Sequence, residues 1–171
     1  MSLFWMKRIR IGRRMDEEGI VMWQDKLEEI KQVSVKFNDT LNDGITDKEL
    51  EALISGVEKE LQVSLPEAYI DVLKLINGLE FNGYILYGAD KELLENIPNQ
   101  RINGLIDNNK VWYDNEWEKK YLFLGDSSIS WYAYDVESGS YFELDKPSGD
   151  EMQEFSCFEE MLEKILTDAL L

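Results

Sequence analysis

The chain has 171 residues, of which 35 are acidic and 18 basic, and its formal net charge is -17. It contains no histidine and one cysteine, Cys157. This composition excludes Ser-His-Asp and Cys-His catalysis, imidazole metal sites, thiolate zinc clusters and an intrachain disulfide. Hydrophobic residues make up 44% of the chain, which is typical of a folded protein. We therefore expect one cytosolic domain without a cofactor, a metal ion or a membrane span.

The charge is unevenly distributed along the chain. Residues 1–14 carry five bases and no acid, whereas the remainder carries 13 bases and 35 acids. We predict a basic N-terminal arm over residues 1–21, which could be disordered, an anchor for an anionic surface or a leader, and a single domain over residues 22–171. Because an acidic body repels nucleic acid, we expect a basic protein as its partner, and we favour a monomer.

Helices are predicted in the first part of the chain. An apolar stripe over residues 22–36 predicts an amphipathic helix. Thr46 and Glu49 form a capping box at the start of a second helix. Pro66 suits the first turn of a third helix, for which Gly78 would supply a left-handed C-cap.

The hydrophobic period changes after these helices. Short apolar runs predict strands over residues 84–87, 121–124, 129–136 and 141–144. The last two are joined by a turn at residues 137–139, and residues 106–118 favour a helix followed by a loop. Ser156 and Glu159 repeat the capping-box pattern before a terminal helix. The order predicts an α+β fold, with a mostly antiparallel sheet of about four to six strands and helices packed on one side.

The helix pair in the middle of the chain carries a family resemblance. Residues 58–69, EKELQVSLPEAY, followed by Leu73 and Asn77-Gly78, are similar to the "E..L...LP..Y...L...NG" pattern of the SUKH superfamily. That superfamily includes bacterial toxin-immunity proteins and fungal cell-wall regulators of the Smi/Knr type. Later segments that resemble its strands and closing helix are Tyr87-Gly88, LFLGD at 122–126, WYAYD at 131–135 and SCFEEML at 156–162.

The resemblance covers residues 46–170. It implies a cytosolic α+β binding module with no catalytic residues. The motif positions to which it assigns a structural role are Leu61, Leu65, Pro66, Tyr69, Leu73, Asn77 and Gly78.

Acidic residues are dense late in the chain. Residues 121–163 contain eleven acids and one base, Lys146. This density is typical of a solvated surface, and also of a docking face for a basic protein in which aromatic side chains supply affinity. The candidate partner-binding residues are Trp112, Trp117, Asp126, Tyr132, Tyr134, Asp135, Glu137, Glu143 and Asp145. In the strand 129–136 we place Ile129, Trp131 and Ala133 toward the core and Tyr132 and Tyr134 on the other face.

Three functions are consistent with these observations. The leading hypothesis is a non-catalytic immunity protein that neutralises a cognate toxin, such as a nuclease, by occluding its basic active face. The alternatives are a cytosolic regulatory scaffold or adaptor of the same fold, and a carbohydrate-binding domain that uses exposed tryptophans. Among 35 acids a pair at glycosidase spacing is expected by chance, so carboxylate pairs do not indicate an enzyme.

Overall fold

The structure is a computed structural model that describes residues 23–96 and 101–171. The predicted arm over residues 1–21 lies outside the described residues. The helices are α1 (Trp23–Lys36), α2 (Asp47–Leu61), α3 (Glu67–Leu73), α4 (Leu105–Trp112) and α5 (Phe158–Ala169), with short 3₁₀ helices at Lys91–Leu93 and Glu116–Lys120. The strands are β1 (Leu79–Phe81), β2 (Tyr84–Leu86), β3 (Tyr121–Asp126), β4 (Ser130–Asp135), β5 (Tyr141–Asp145) and β6 (Glu151–Phe155).

The six strands form one antiparallel sheet in chain order, so β1 and β6 are its two edges. Register shifts interrupt the ladder between Phe123 and Gly125 and between Glu143 and Leu144. The predicted α+β class and antiparallel sheet are therefore confirmed. The prediction did not include β1 and β6 as separate strands.

Both faces of the central strands are covered by helices. On one face, the ring of Tyr141 in β5 lies 5.9 Å from that of Phe158 in α5, and α1 packs against α5 from outside. On the other face, the ring of Trp131 in β4 lies 5.3 Å from that of Trp112 in α4. A sheet covered on both sides buries side chains of both parities.

The predicted packing of helices on one side of the sheet is therefore corrected, and with it the expected orientation of β4. Trp131 and Ala133 are buried as predicted, but Ile129 precedes the strand and is 61% exposed. Tyr132, which we placed on the outer face, is only 1% exposed. Alternation identified which residues share a face, but it could not show that the second face is also covered.

The capping box of α2 is confirmed. Thr46 Oγ1 accepts the Glu49 N–H, and the Glu49 carboxylate accepts the Thr46 N–H at 2.8 Å. The box predicted for α5 is wrong, since the helix begins at Phe158 and Ser156 instead donates to Glu160. Gly78 has a positive φ of 75° but does not cap α3, which ends at Leu73. Within the described ranges, no helix is long and apolar enough to cross a membrane.

Candidate functional site

The nine candidate residues differ in their exposure. Asp126, Tyr132, Asp135 and Glu143 are buried; Trp112, Tyr134 and Asp145 are half-buried; Trp117 and Glu137 are exposed. The buried four make their contacts within the fold, and the side chains of Trp117 and Glu137 are exposed to solvent.

Asp126 forms an ion pair beneath two tryptophans. The Lys146 ammonium lies 3.0 Å from the Asp126 carboxylate and donates to the Ser127 carbonyl at 3.2 Å. The same ammonium lies 5.1 Å from the ring centre of Trp112 and 5.7 Å from that of Trp131, which is a cation–π arrangement. The single base of the acid-rich segment thus neutralises an acid inside the fold.

Trp112 is fixed by a second contact with the core. Its indole Nε1 donates to the Tyr87 hydroxyl at 3.0 Å. Burial, and then the charge of Asp126, raises the pKa of that hydroxyl above its ordinary value. The polar edge of Trp112 therefore points into the fold, and Lys146 lies over its ring.

Trp117 is the more accessible of the two candidate tryptophans, with 42% of its surface exposed. Its ring lies 6.3 Å from that of Trp131 and packs against Gly149 in the β5–β6 turn. A Cβ atom at Gly149 would lie 2.3 Å from the Trp117 ring, so only glycine leaves room for it. The exposed part of Trp117 is held in place beside this turn.

Asp135 organises the β4–β5 turn. Its Oδ1 accepts the N–H groups of Glu137 at 2.9 Å and Ser138 at 3.0 Å, and the Lys120 ammonium lies 3.3 Å from Oδ2. Burial opposes ionisation of Asp135, but these donors and the charge of Lys120 together hold its pKa below the ordinary value. Asp135 therefore stabilises the turn from which Glu137 projects.

Glu143 and Tyr132 lie on the face covered by α5. The Ser130 hydroxyl donates to Glu143 at 2.7 Å, and the Lys164 ammonium of α5 lies 3.7 Å from its other oxygen. Burial, and then the charge of Glu143, raises the pKa of Tyr132. On the same face the half-buried Tyr134 packs against Tyr141, with ring centres 5.1 Å apart.

Exposed carboxylates lie along β6, outside the nine candidates. We call Asp150, Glu151 and Glu154 the acidic edge; all three are exposed. Glu151 accepts from the Tyr121 hydroxyl at 3.1 Å and lies 3.7 Å from the Lys120 ammonium. For Asp150 and Glu154, no basic side chain among the described residues lies within 4.0 Å. These acids belong to the acid-rich segment. Because β6 was not predicted from the sequence, their position at a sheet edge was not predicted either.

The two glutamates share one face of the sheet. Glu151 pairs with Leu144 and Glu154 with Phe142, two residues apart on β5, because the register shift inserts an extra residue into β6. Leu144 also pairs with Trp131, so this is the face on which the tryptophans lie. Trp117, Glu151 and Glu154 are therefore exposed on the same side of the sheet.

The family-motif residues meet at one place in the core. The Tyr69 hydroxyl donates to the Tyr87 carbonyl, and the Asn77 side chain accepts the Ala89 N–H at 2.7 Å. A Cβ atom at Gly78 would lie 2.9 Å from the Leu86 carbonyl oxygen, so the close approach of the two segments requires glycine. The Asn-Gly and Tyr-Gly motifs, distant in sequence, are thus in direct contact.

The other motif residues support the α2–α3 connection. Leu61 and Leu73 end their helices and are buried, Pro66 precedes the first turn of α3, and Leu65 packs half-buried against the core. Of the seven motif positions, Leu65 is half-buried and the other six are buried.

The fold and these contacts define an α+β protein with one antiparallel sheet, a packed motif core and an acidic sheet edge. Residues 51–151 match the SUKH_6 family model, which is described as SMI1-KNR4 cell-wall. Because the match covers more than half of the chain, the chain belongs to the SUKH family, and the resemblance read from its motifs is confirmed. No curated protein matches the chain.

Proposed function

We propose that this chain is a non-catalytic protein-binding module, an immunity protein that binds a cognate toxin and occludes its basic active face. The observation that carries the proposal is the acidic edge, whose three carboxylates are exposed and of which Asp150 and Glu154 have no basic neighbour within 4.0 Å in the described chain. The membership of the chain in the SMI1-KNR4 family supports an immunity or regulatory role.

A nuclease is the toxin class that best fits this surface. An enzyme that cleaves nucleic acid needs basic side chains to hold phosphates. Exposed carboxylates complement such a cleft and accelerate encounter, with association rates of up to about 10⁸ M⁻¹s⁻¹ at low salt. Rapid association protects a cell from a lethal enzyme.

Trp117 would contribute affinity beside the charges. Exposed charges mainly affect the association rate, whereas a well-packed tryptophan slows dissociation. Trp117 is exposed on the same side of the sheet as Glu151 and Glu154. Its packing against Gly149 lowers the entropy cost of binding, because the ring is already held.

The alternatives differ in what the structure offers them. A carbohydrate-binding surface would use exposed tryptophan faces; Lys146 lies over the Trp112 ring, which leaves Trp117 as the more accessible of the two. A regulatory adaptor would use the same acidic edge for a basic partner other than a toxin. Identification of the partner distinguishes an adaptor from an immunity protein.

Co-expression tests the immunity role. If a toxin is encoded directly upstream of this gene, cells that express it should survive when the chain is co-expressed. Glu151→Lys/Glu154→Lys should abolish rescue, whereas Glu51→Lys/Glu58→Lys, on exposed positions of α2, should retain it with the same change of net charge. Failure of the unmodified chain to rescue would refute the immunity role and leave the adaptor role.

A salt series tests the electrostatic part separately. The association rate with the purified toxin should fall steeply between low and high ionic strength, because the Debye length shortens from about 30 Å at 0.01 M to about 3 Å at 1 M. A rate that does not change with salt would contradict steering by the acidic edge.

A further inference from the structure

The two edges of the sheet differ in their neighbours. Beside β1, the Arg101 and Asn103 side chains contact the Glu80 carboxylate, and Asn42 donates to the carbonyls of Asn77 and Gly78, which precede the strand. Beside β6, no further strand pairs with the outer side within the described chain. An unpaired strand edge is a template for another strand.

The alternation of hydrogen bonds along β5 shows which backbone groups of β6 point away from the sheet. Asp135 N–H donates to the Ser140 carbonyl, so Ser140 and Phe142 use their backbone groups toward β4. Tyr141 and Glu143 then face β6, where they pair with Phe155 and Gln153. By the same alternation, the N–H and carbonyl of Glu154 point away from the sheet.

The charges of this edge select its occupant. A second copy paired antiparallel through β6 would bring Glu151 and Glu154 against like charges, which is destabilising at cross-strand distances. An extended segment with lysine or arginine at alternate positions would place its bases beside these glutamates. Side chains two residues apart share one face of a regular strand. Glu151 and Glu154 also share one face, because β6 contains one extra residue between them.

We propose that the outer side of β6 binds an extended basic segment of the partner protein, which adds to the sheet as a seventh strand. The backbone groups of Glu154 would pair with the segment, and the carboxylates of Glu151 and Glu154 would select its bases. This inference rests on the proposed protein-binding function, but it does not require the partner to be a toxin.

Two synthetic peptides of equal charge test the proposal with the full chain. The first, acetyl-Lys-Val-Lys-Val-Lys-Val-amide, can form a strand; the second has the same sequence with a methyl group on every backbone nitrogen, which removes its N–H donors and prevents close approach to a strand edge. Two backbone hydrogen bonds should make the first peptide bind about tenfold more tightly. Equal binding of the two peptides would overturn the proposal, because only charge would then be recognised.

Two variants of one residue separate backbone pairing from charge. Glu154→Pro removes an outward N–H and no β5–β6 hydrogen bond, and should reduce the preference for the Lys-Val peptide over its N-methylated form from about tenfold to about threefold, because the Glu154 carbonyl can still accept. Glu154→Gln keeps the N–H and should reduce the affinity for both peptides to a similar degree. An unchanged preference for Lys-Val in a folded Glu154→Pro variant would contradict strand addition.

Amide hydrogen exchange of the unmodified chain gives a reading that does not depend on the variants. Saturation with the Lys-Val peptide should slow exchange at Glu154 and leave the amides of the β4–β5 turn unchanged. Unchanged exchange at Glu154 would refute the proposal even if Glu154→Pro does not fold. Loss of toxin rescue with intact peptide binding would instead refute only the immunity role.

Discussion

The acids in the C-terminal half of the chain form two groups with different surroundings. Asp126, Asp135 and Glu143 are buried, and each carboxylate lies within 4.0 Å of a lysine from another segment. Asp150 and Glu154 are exposed on or beside an edge strand and have no basic neighbour within 4.0 Å in the described chain. Both groups come from one acid-rich segment, so the density of acids predicts the sign of the charge but not its availability.

The two groups of acids should also differ in their contributions to the stability of the fold and to the binding of a partner. A buried carboxylate must be compensated by its partners, and removal of one partner destabilises the fold. An exposed carboxylate contributes little to stability but can guide a partner of opposite charge. The following substitutions test this division in order of expected effect.

The largest effect is expected when the cation beside Asp126 is removed. Lys146→Met keeps an apolar stem near Trp112 and Trp131 but leaves the Asp126 carboxylate, 11% exposed, without its counterion. We expect a loss of about 2 kcal/mol in the free energy of unfolding, measured by urea denaturation.

Lys119→Met is the matched control for this change. Lys119 pairs with Glu116 at exposed positions, so its replacement should cost less than about 0.5 kcal/mol. Equal losses in the two variants would show that the Asp126–Lys146 pair is no different from a surface pair.

A smaller effect is expected from neutralising one carboxylate of each group. Glu143→Gln weakens the bonds from Ser130 and Lys164 and should cost about 1–2 kcal/mol. Glu154→Gln, the same change at an exposed site, should stay within about 0.5 kcal/mol of the unmodified chain. Thermal and urea unfolding of both variants would measure the difference, and a greater loss in Glu154→Gln would reverse the assignment of the two groups.

Asp135 should show its contribution as a pH dependence. Its folded pKa is lowered, so the stability it contributes is present above the unfolded pKa of about 3.9 and is lost as the pH falls through the folded pKa. Asp135→Asn should therefore cost about 1 kcal/mol near neutral pH, and the cost should shrink below about pH 4. Unfolding curves from pH 7 to pH 3 measure this difference; a cost that is constant with pH would mean that the charge is not responsible.

Several elements of the fold could be predicted because their signals are local. The Thr46–Glu49 capping box marks the start of α2 within four residues of sequence, and its bonds form as expected. The stripe of α5 and the turn before Gly139 are also local patterns, and both are present in the structure. Short-range hydrogen bonding and helical periodicity determine these elements.

The missed features depend on contacts between distant segments. β6 contains Glu-Met-Gln-Glu, a poor strand sequence, and exists because β5 supplies its ladder. Tyr132 is buried because helices cover both faces of the sheet, which its own strand pattern cannot reveal. Lys146 is 20 residues away from Asp126, so the pairing of that acid depends on the fold as well.

The smallest predicted effect concerns repulsion along the acidic edge. Salt should stabilise the chain by screening exposed acids from one another, as the Debye length falls from about 30 Å at 0.01 M to about 3 Å at 1 M. Asp150→Asn/Glu151→Gln/Glu154→Gln should reduce this salt-induced gain by a few tenths of a kcal/mol, since like charges at exposed sites interact weakly.

Glu51→Gln/Glu58→Gln on α2 is the comparison for this last variant. Both residues are exposed, and they lie away from β6, since α2 packs against α4 and the 3₁₀ helix Lys91–Leu93. If both variants reduce the salt dependence equally per charge removed, the repulsion belongs to the whole acidic body. If the β6 variant reduces it more, the acids of the edge repel one another locally. Local repulsion would mean that a basic strand bound at β6 relieves an unfavourable interaction as well as forming new ones, and this relief would add to the preference for a cationic partner.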